Sequence, residues 1–514
     1  MSGNGTNALL VSQAELEGNL RYVLNVPSVD SLGAAVKAAQ KVVSLAVVGA
    51  GERGKIYAHF ALDNPHLLRI TGLAEPSFRR RGLFTAQHTA IPPQHVFHDW
   101  RAMAAHRPRI ADAVAICSLD PTHADAVVEF AKAGYHVLCE KPMAVTLADC
   151  KRIVEAVERA GVIFAVCHVL RYSPYNCALK RLIDTKAIGE IVNIVHVEPV
   201  GWWHFAHSYV RGNWAREDHA TFSLMAKSCH DLDILCHYVG HDHPPQRVHS
   251  FGSLSHFRRD QKPAEAGTAT RCIECAHEPN CPYSAPRLYL DKSRQDERGW
   301  PASVLVARTP PGTPSREQQL ERPSLPTSEV ELVEDIESIT TALETGNYGR
   351  CVYESDNDVC DHQVVNVEFS NGVTASFTMV AFTTEICERQ TRIHGTRGMI
   401  VGDSNDLRVT DFASGKTTTI TPPEDNSVNG GSSGHGGGDY GLVNTFVKAV
   451  ANNDQAILGC DPRDALMSHI LVFAAEHARK SKTVVELAEF GKEMNCWPEG
   501  IRTESEKRTT PRVI

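Results

Sequence analysis

The chain has 514 residues, enough for two or more domains at roughly 100–200 residues each. Apolar residues make up 42% and charged residues 22%, the balance of an ordinary globular protein, and no run approaches the roughly 18 apolar residues of a membrane helix. A net charge of −9 argues against nucleic acid as the main partner, because phosphate binding needs a basic face.

Residues 1–41 read as an N-terminal extension with one helix near Gln13–Leu24. Val42–Val48 is a continuous apolar run, as expected of a buried parallel strand. A glycine turn and a helix over Lys55–Leu62 follow. Strands are expected at Leu68–Ala74, Ala111–Ser118, Tyr135–Cys139 and Val162–Val166, with helices at Ala124–Ala133 and Leu147–Ala160. This alternation predicts a doubly wound parallel sheet over residues 42–168.

After Val169 the texture changes to α+β over residues 169–490. Ile191–Val200, Gln363–Thr378, Ile393–Val401 and Leu407–Phe412 show strand patterns, and Phe369–Val373 reads as a hairpin turn. The expected sheet is mostly antiparallel and open. Thr309–Thr327 is proline-rich and reads as a loop inside a cysteine-rich insert over 255–360. Asn426–Gly438 is a Gly/Ser-rich loop, helices are expected near Gly441–Asn452 and Pro462–Ser481, and 491–514 forms a tail.

Gly49, Gly51 and Gly54 form G-x-G-x-x-G between a strand and a helix. The first glycine permits the tight turn, the second lets backbone approach a pyrophosphate, and the third lets helix and strand pack closely. Glu75 ends the second strand, where a carboxylate bonds both ribose hydroxyls and favours NAD. Arg79, Arg80 and Arg81 keep NADP open, since an arginine there can accept a 2′-phosphate.

The glycine turn, Ala74-Glu75-Pro76, Pro121-Thr122-His123 and Gly134 through Glu140-Lys141-Pro142 resemble the Gfo/Idh/MocA oxidoreductase family. Ser228-Cys229-His230-Asp231-Leu232-Asp233 and Ile393 through Gly398 extend the resemblance over roughly residues 42–490. It implies a Rossmann domain followed by an open-sheet domain whose sheet face serves in homo-oligomerisation. It also implies oxidation or reduction of a sugar, inositol or polyol carbinol with bound NAD(P). Two other uses of the fold are implied: glycoside cleavage by transient oxidation, and non-catalytic sugar sensing. The family's lysine maps onto Lys141 and its late histidine onto His230. The resemblance and the glycine turn together give Gly49, Gly51, Glu52, Arg53, Gly54, Glu75, Ser118, Pro121, His123, Glu140, Lys141 and Arg171 as cofactor contacts. One departure stands out: the aspartate that many relatives place four residues before the histidine is here Ala226, followed by Lys227. Lys227 is either a second positive charge beside an acidic substrate or the partner of Asp231 or another acid.

Hydride transfer needs a group to move the hydroxyl proton and positive charge or donors for the developing alkoxide. His230 titrates near neutrality and is expected to carry the proton, with Lys141 polarising the oxygen. The alternative for His230 is a buried structural role. Expected substrate contacts are Tyr172, Trp203, Asp231, Asp361, His362 and His435, with Asp439 beside the last. Trp203 equally suits core packing.

The 15 cysteines, an odd number spread over the chain, fit a reducing compartment, taken as the cytoplasm, better than a disulfide framework. Cys272 and Cys275 have C-x-x-C spacing and Cys281 follows on the same loop, which predicts a closed structural zinc site. The fourth ligand is expected to be Cys351, with His277 and Cys360 as alternatives; three free cysteines in a loop is the plain alternative.

Overall fold

The computed structural model describes residues 41–295, 299–306, 336–422 and 435–498. The helix expected near Gln13–Leu24, the proline-rich Thr309–Thr327 and most of the Gly/Ser-rich loop lie outside the described residues, as does the end of the tail.

The first layer runs β1 (Val43–Val48), α1 (Glu52–Asp63), β2 (Leu68–Ala74), α2 (Phe78–Gln87), β3 (Val96–Phe97), α3 (Trp100–Ala105), β4 (Ala113–Ile116), α4 (His123–Lys132), β5 (His136–Cys139), α5 (Leu147–Ala160) and β6 (Phe164–Val166). Its six strands are all parallel in the order β3-β2-β1-β4-β5-β6. The strand order reverses between β1 and β4, so the crevice at their carboxyl ends is where a ligand of such a sheet binds. β1 and β4 are buried almost throughout, which is why they read as nearly continuous apolar runs, broken only by Ser44. β3 has only two residues and no period to read.

The second layer starts with α6 (Pro174–Asp184), β7 (Ile191–Pro199), α7 (Ser223–Val239) and β8 (Pro245–Ser253). After the insert, which carries α8 (Ile336–Thr345), come β9 (His362–Phe369), β10 (Thr374–Val380), β11 (Gln390–Gly395), β12 (Gly398–Gly402), β13 (Leu407–Asp411) and β14 (Thr417–Ile420). The nine-stranded sheet is completed by β15 (Val485–Glu486) in the order β14-β13-β12-β11-β7-β10-β9-β8-β15. Every pairing is antiparallel except β7 with β10. The expected hairpin joins β9 and β10, while the run read as one strand over Ile393–Val401 is two, β11 and β12, folded back at Thr396 and Arg397. β8 and β14 escaped the pattern reading, since the apolar residues of β8, Pro245, Val248 and Phe251, fall three apart rather than two, and three of the four β14 residues are exposed.

Two long helices follow β14, α9 (Gly438–Asn452) and α10 (Pro462–Ser481), and a short one, α11 (Leu487–Glu493), follows β15. α9 does not pack with the second sheet. Its Tyr440, Leu442, Val443 and Phe446 enter the same core as Val47, Tyr57 and Leu73 of the first layer. α7 and α10 cover the inner face of the nine-stranded sheet in a core shared with β5 and α5. On the other face, Val192 and Val195 of β7 and Phe251 of β8 are exposed. The insert buries a small core of its own, around Tyr289, Leu305, Ile339 and Leu343. Among the described residues no helix is long and apolar enough to cross a membrane, and no disulfide forms.

Candidate active site at the interlayer cleft

The three glycines differ in the way their roles require. Gly49 has φ +94°, and a Cβ there would stand 2.5 Å from the Cys117 carbonyl oxygen. A Cβ on Gly54 would stand 2.0 Å from the Gly49 oxygen. A Cβ on Gly51 would meet nothing within 4 Å. Two glycines are thus required by the protein's own packing, and the third keeps open space at the N-terminus of α1. Helix N-termini present free N–H groups to phosphate, so the residues present fit a dinucleotide.

Glu75 is buried at the mouth of this turn. Its oxygens accept from the Ala50 and Ser77 backbone N–H groups, both at 2.8 Å, and from Arg80 Nε at 3.1 Å. Arg81 turns inward to the Glu75 and Pro76 carbonyls. Arg53 joins the layers: its Nε meets Glu140 at 2.6 Å, and its other nitrogens bond Asp439 at 2.5 and 3.1 Å. Burial works against charge on Glu140 and Asp439, but Arg53 outweighs it and holds both below the usual carboxylate range. Glu52 is on the first turn of α1, where its partner is Lys55.

Lys141 follows β5 through a cis Lys141–Pro142 bond. His123, on α4, braces this corner, with Nδ1 2.8 Å from the Pro142 carbonyl and Nε2 3.0 Å from that of Ser118. Pro121 lies in the 3-10 turn that leads into α4, and the Ser118 hydroxyl bonds Thr122. Lys141 Nζ crosses the cleft and donates to the Ala226 carbonyl of α7 at 2.5 Å. Ala226 and His230 are four residues apart on α7 and share one face. The sequence-expected pair is therefore brought together, with Lys141 from the first layer and His230 from the second.

His230 is 1% exposed. Burial pushes its imidazole well below its ordinary range, and Lys141, Arg389 and His435 reinforce this against Asp231. Arg389 donates to His230 Nε2 at 3.1 Å. A guanidinium can only donate, so Nε2 is the acceptor and the neutral ring carries its hydrogen on Nδ1. Nδ1 is buried without a hydrogen-bond partner among the described residues. The His435 ring packs edge-on against His230 at 5.7 Å, and His435 Nδ1 lies 3.3 Å from Asp439.

Beneath α7 lies a buried ionic floor that the sequence reading missed. Glu198 from β7 meets Lys227 Nζ at 2.9 Å and Arg389 Nε at 2.7 Å, ion contacts whose angles fall outside hydrogen-bond geometry. Arg389 Nε also bonds Asp231 at 2.9 Å. Two carboxylates face two cations, so the floor is neutral. Burial disfavours charge on Lys227, but Cys387, Glu198 and Tyr209 outweigh this and hold its ammonium protonated. Lys227 is committed to Glu198 and to Cys387 Sγ at 2.9 Å, and Asp231 to Arg389 and His196. A signal was available: Ile194, His196 and Glu198 alternate onto one buried face of β7, and polar residues there demand partners. His204 also lies here, its Nδ1 3.4 Å from Cys387 Sγ. Burial lowers its pKa well below the ordinary value, and Lys227 and Lys141 are both close enough to add to that effect.

Other expected contacts serve elsewhere. Arg171 makes a bidentate pair with Asp233 at 2.6 and 2.7 Å, and the Tyr172 hydroxyl is spent on the Leu458 carbonyl. Trp203 packs against Trp300 with Lys292 over its ring, at the edge of the insert core. Asp361 is fully buried and accepts from the Ser255 and His256 N–H groups at 2.8 Å, the Ser255 hydroxyl and His362 Nδ1. It clasps the base of the insert, and His362 stands beside it.

Among the described residues, the group of three or more potential ligands that lie within 4.8 Å of one another is His168, Cys229 and His469. His469 cannot serve: its Nδ1 faces the Ala465 carbonyl at 2.7 Å and its Nε2 accepts from Met143 N–H at 2.9 Å. Burial lowers its pKa to about 3, so the ring is neutral and both nitrogens are used.

Residues 43–168 match the family model described as "Oxidoreductase family, NAD-binding Rossmann fold", GFO_IDH_MocA. The protein YteT of Bacillus subtilis is 25% identical over 300 residues, 58% of this chain and 60% of its own. The inositol 2-dehydrogenase of Rubrobacter xylanophilus is 33% identical over 151 residues, 29% of this chain and 41% of its own. The chain thus spans less than two thirds of the length of each of these relatives. The structure of levoglucosan dehydrogenase with NADH and levoglucosan superposes at TM-score 0.60 and 16% identity, over 87% of this chain and all of that one, a likeness of fold. Strand order, glycine turn and this match agree: over residues 43–168 the first layer is similar to the NAD-binding Rossmann domains of the Gfo/Idh/MocA oxidoreductase family.

Proposed function

We propose that this protein is an NAD-dependent oxidoreductase acting on a sugar or polyol carbinol in the cleft between its two layers. The observation that carries this reading is the Lys141 ammonium reaching across the crevice to α7, one helical turn from His230. The matched family model and the similarity to an inositol dehydrogenase support the reaction class.

When bound, the nicotinamide supplies the hydride acceptor or donor. The turn at Gly49, Gly51 and Gly54 would hold the pyrophosphate at the N-terminus of α1, and Glu75 would meet the ribose. Arg80 is already paired with Glu75 and Arg81 with backbone carbonyls, which favours NAD over NADP. The geometry of His230 shifts the proton-transfer role expected of it. Its Nε2 lone pair is occupied by Arg389, so the ring acts as a donor through Nδ1–H. In the reducing direction Lys141 gives its proton to the substrate oxygen while His230 donates a hydrogen bond to it. In the oxidising direction the hydroxyl proton returns to Lys141. Lys227, neutralised by Glu198, positions the floor of the site.

The test is NADH fluorescence with purified protein, both nicotinamide nucleotides and a panel of inositols, aldoses and glycosides. Net NADH formation that Lys141→Ala abolishes is expected. Glycoside cleavage without net NADH assigns the redox-neutral chemistry instead, and nucleotide binding without turnover on any substrate assigns a sensor. The exposed Val192, Val195 and Phe251 favour self-association through the uncovered sheet face, which light scattering of Val195→Glu against the parent chain would test.

A further inference from the structure

The insert leaves the second sheet after β8 and returns to β9, at residues that pair directly, Ser253 with His362. Its first half is a chain of short 3-10 turns, Cys272–Glu274 and Glu278–Asn280 among them, none held by a side-chain cap. Of its four cysteines of interest, only Cys272 joins the insert's small core.

A β-bridge between Arg271 and Arg350 sets Cys272 beside Cys351, reinforced by the Cys351 N–H bond to the Thr270 carbonyl at 2.8 Å. Cys272, Cys275, Cys281 and Cys351 all line one cavity of about 20 Å³, room for an ion or a water, with His277 on its wall. Cys360 lies outside it; its carbonyl accepts from Ser223 on α7.

A second observation comes from Arg211, which also lines this cavity. It is 3% exposed and has no carboxylate within 4 Å among the described residues. It donates to the Arg350 and Tyr283 carbonyls and, at 3.3 Å, to Cys272 Sγ, while its NH1 has no hydrogen-bond partner. Glu278 also lines the cavity, but its carboxylate accepts from the Ser284 hydroxyl and forms no ion pair with Arg211. A buried cation without a paired carboxylate is costly, and thiolates in the cavity would offset it.

We propose that Cys272, Cys275, Cys281 and Cys351 bind one Zn²⁺ as thiolates. The site is tetrahedral and closed, and Arg211 offsets its charge. Binding releases the four thiol protons, and the resulting cluster of one Zn²⁺ and four thiolates carries two negative charges. No three of these sulfurs stand within 4.8 Å of one another, whereas the edge of a ZnS₄ tetrahedron is about 3.8 Å. The uncapped turns therefore draw inward around the ion, and the metal supplies the local order that their few apolar contacts do not. With four protein ligands no position is left for substrate, so the role is structural.

Metal analysis of the purified full-length protein should give about one zinc per chain, retained by Cys360→Ser and lost more than tenfold by Cys275→Ser and by Cys351→Ser. Because a variant can lose metal by misfolding, the parent protein provides an independent reading. Stripped of zinc and titrated with Co²⁺, it should develop the intense thiolate-to-cobalt charge-transfer band and the visible bands of a tetrahedral site, unchanged in His277→Ala. Less than about a tenth of an equivalent of zinc in metal-replete protein, with no such cobalt spectrum, overturns the proposal. Retention of the metal by Cys351→Ser and its loss from His277→Ala overturns the ligand set.

Discussion

The two walls of the cleft hold positive charge in opposite ways. On the first layer, Lys141 bonds a single backbone carbonyl and has no carboxylate within 4 Å among the described residues. On the second, Lys227 and Arg389 are each locked to Glu198, and Arg389 also to Asp231. A paired buried charge holds structure, because losing its partner strands an ion in a poor solvent. A charge that meets only a carbonyl can turn to a substrate oxygen at little cost. On the proposed mechanism, the difference makes Lys141 the mobile charge and leaves Lys227 and Arg389 to shape the floor beneath His230.

The largest effect should come from Lys141. Lys141→Ala should lower kcat by about 10²- to 10⁴-fold, the range for loss of a general acid or base, with the urea midpoint unchanged. Lys141→Arg keeps the charge but does not release a proton, so equal loss there would mark proton transfer and recovery would mark charge alone. Activity surviving in both variants would break the comparison between the walls.

Next in size is the floor. Arg389→Met leaves Glu198 and Asp231 short of a cation and should cost about 3–5 kcal/mol in urea unfolding. If stability barely moved, the second wall would not be the structural one.

The glycines sharpen the contrast between binding and packing. Gly54→Ala forces a Cβ against the Gly49 carbonyl and should cost about 1–3 kcal/mol. Gly51→Ala should leave the fold intact and weaken NAD binding, because the only space it fills is the ligand's. Calorimetric titration with NAD and thermal melts of both variants would separate the two effects.

The last effect, confined to acid, is with pH. His230 and His469 have depressed folded pKa values, His469 at about 3, against roughly 6.5 when unfolded. The unfolded state therefore binds more protons below about pH 6.5, and stability falls as pH drops through that point. At pH 5 the loss is about 2 kcal/mol for His469. Asp233, held low by Arg171 and His168 against the effect of burial, adds loss only below about pH 4, so the two windows are distinct. Urea midpoints that stay level from pH 7 to pH 5 would mean these rings protonate freely in the folded protein.

The sequence by itself determined the first layer. Its buried parallel strands are mostly apolar, and the glycine turn, Lys141 and His230 sit in contiguous motifs whose chemistry is local. The C-x-x-C loop and the β9–β10 hairpin were legible for the same reason. Tertiary structure alone decided which charges are available. Glu198 and Arg389 come from β7 and the approach to β11, strands adjacent in the sheet but far apart in the chain, and nothing local marks them as partners. Arg389 also occupies Nε2 of His230, and Glu198 pairs with Lys227. Trp203, Asp361 and Tyr172 looked like ligand contacts because they are polar or aromatic near a predicted cleft. Packing of the insert and of the segment after α9 claimed them instead, since a buried polar group must find a partner wherever the fold places one.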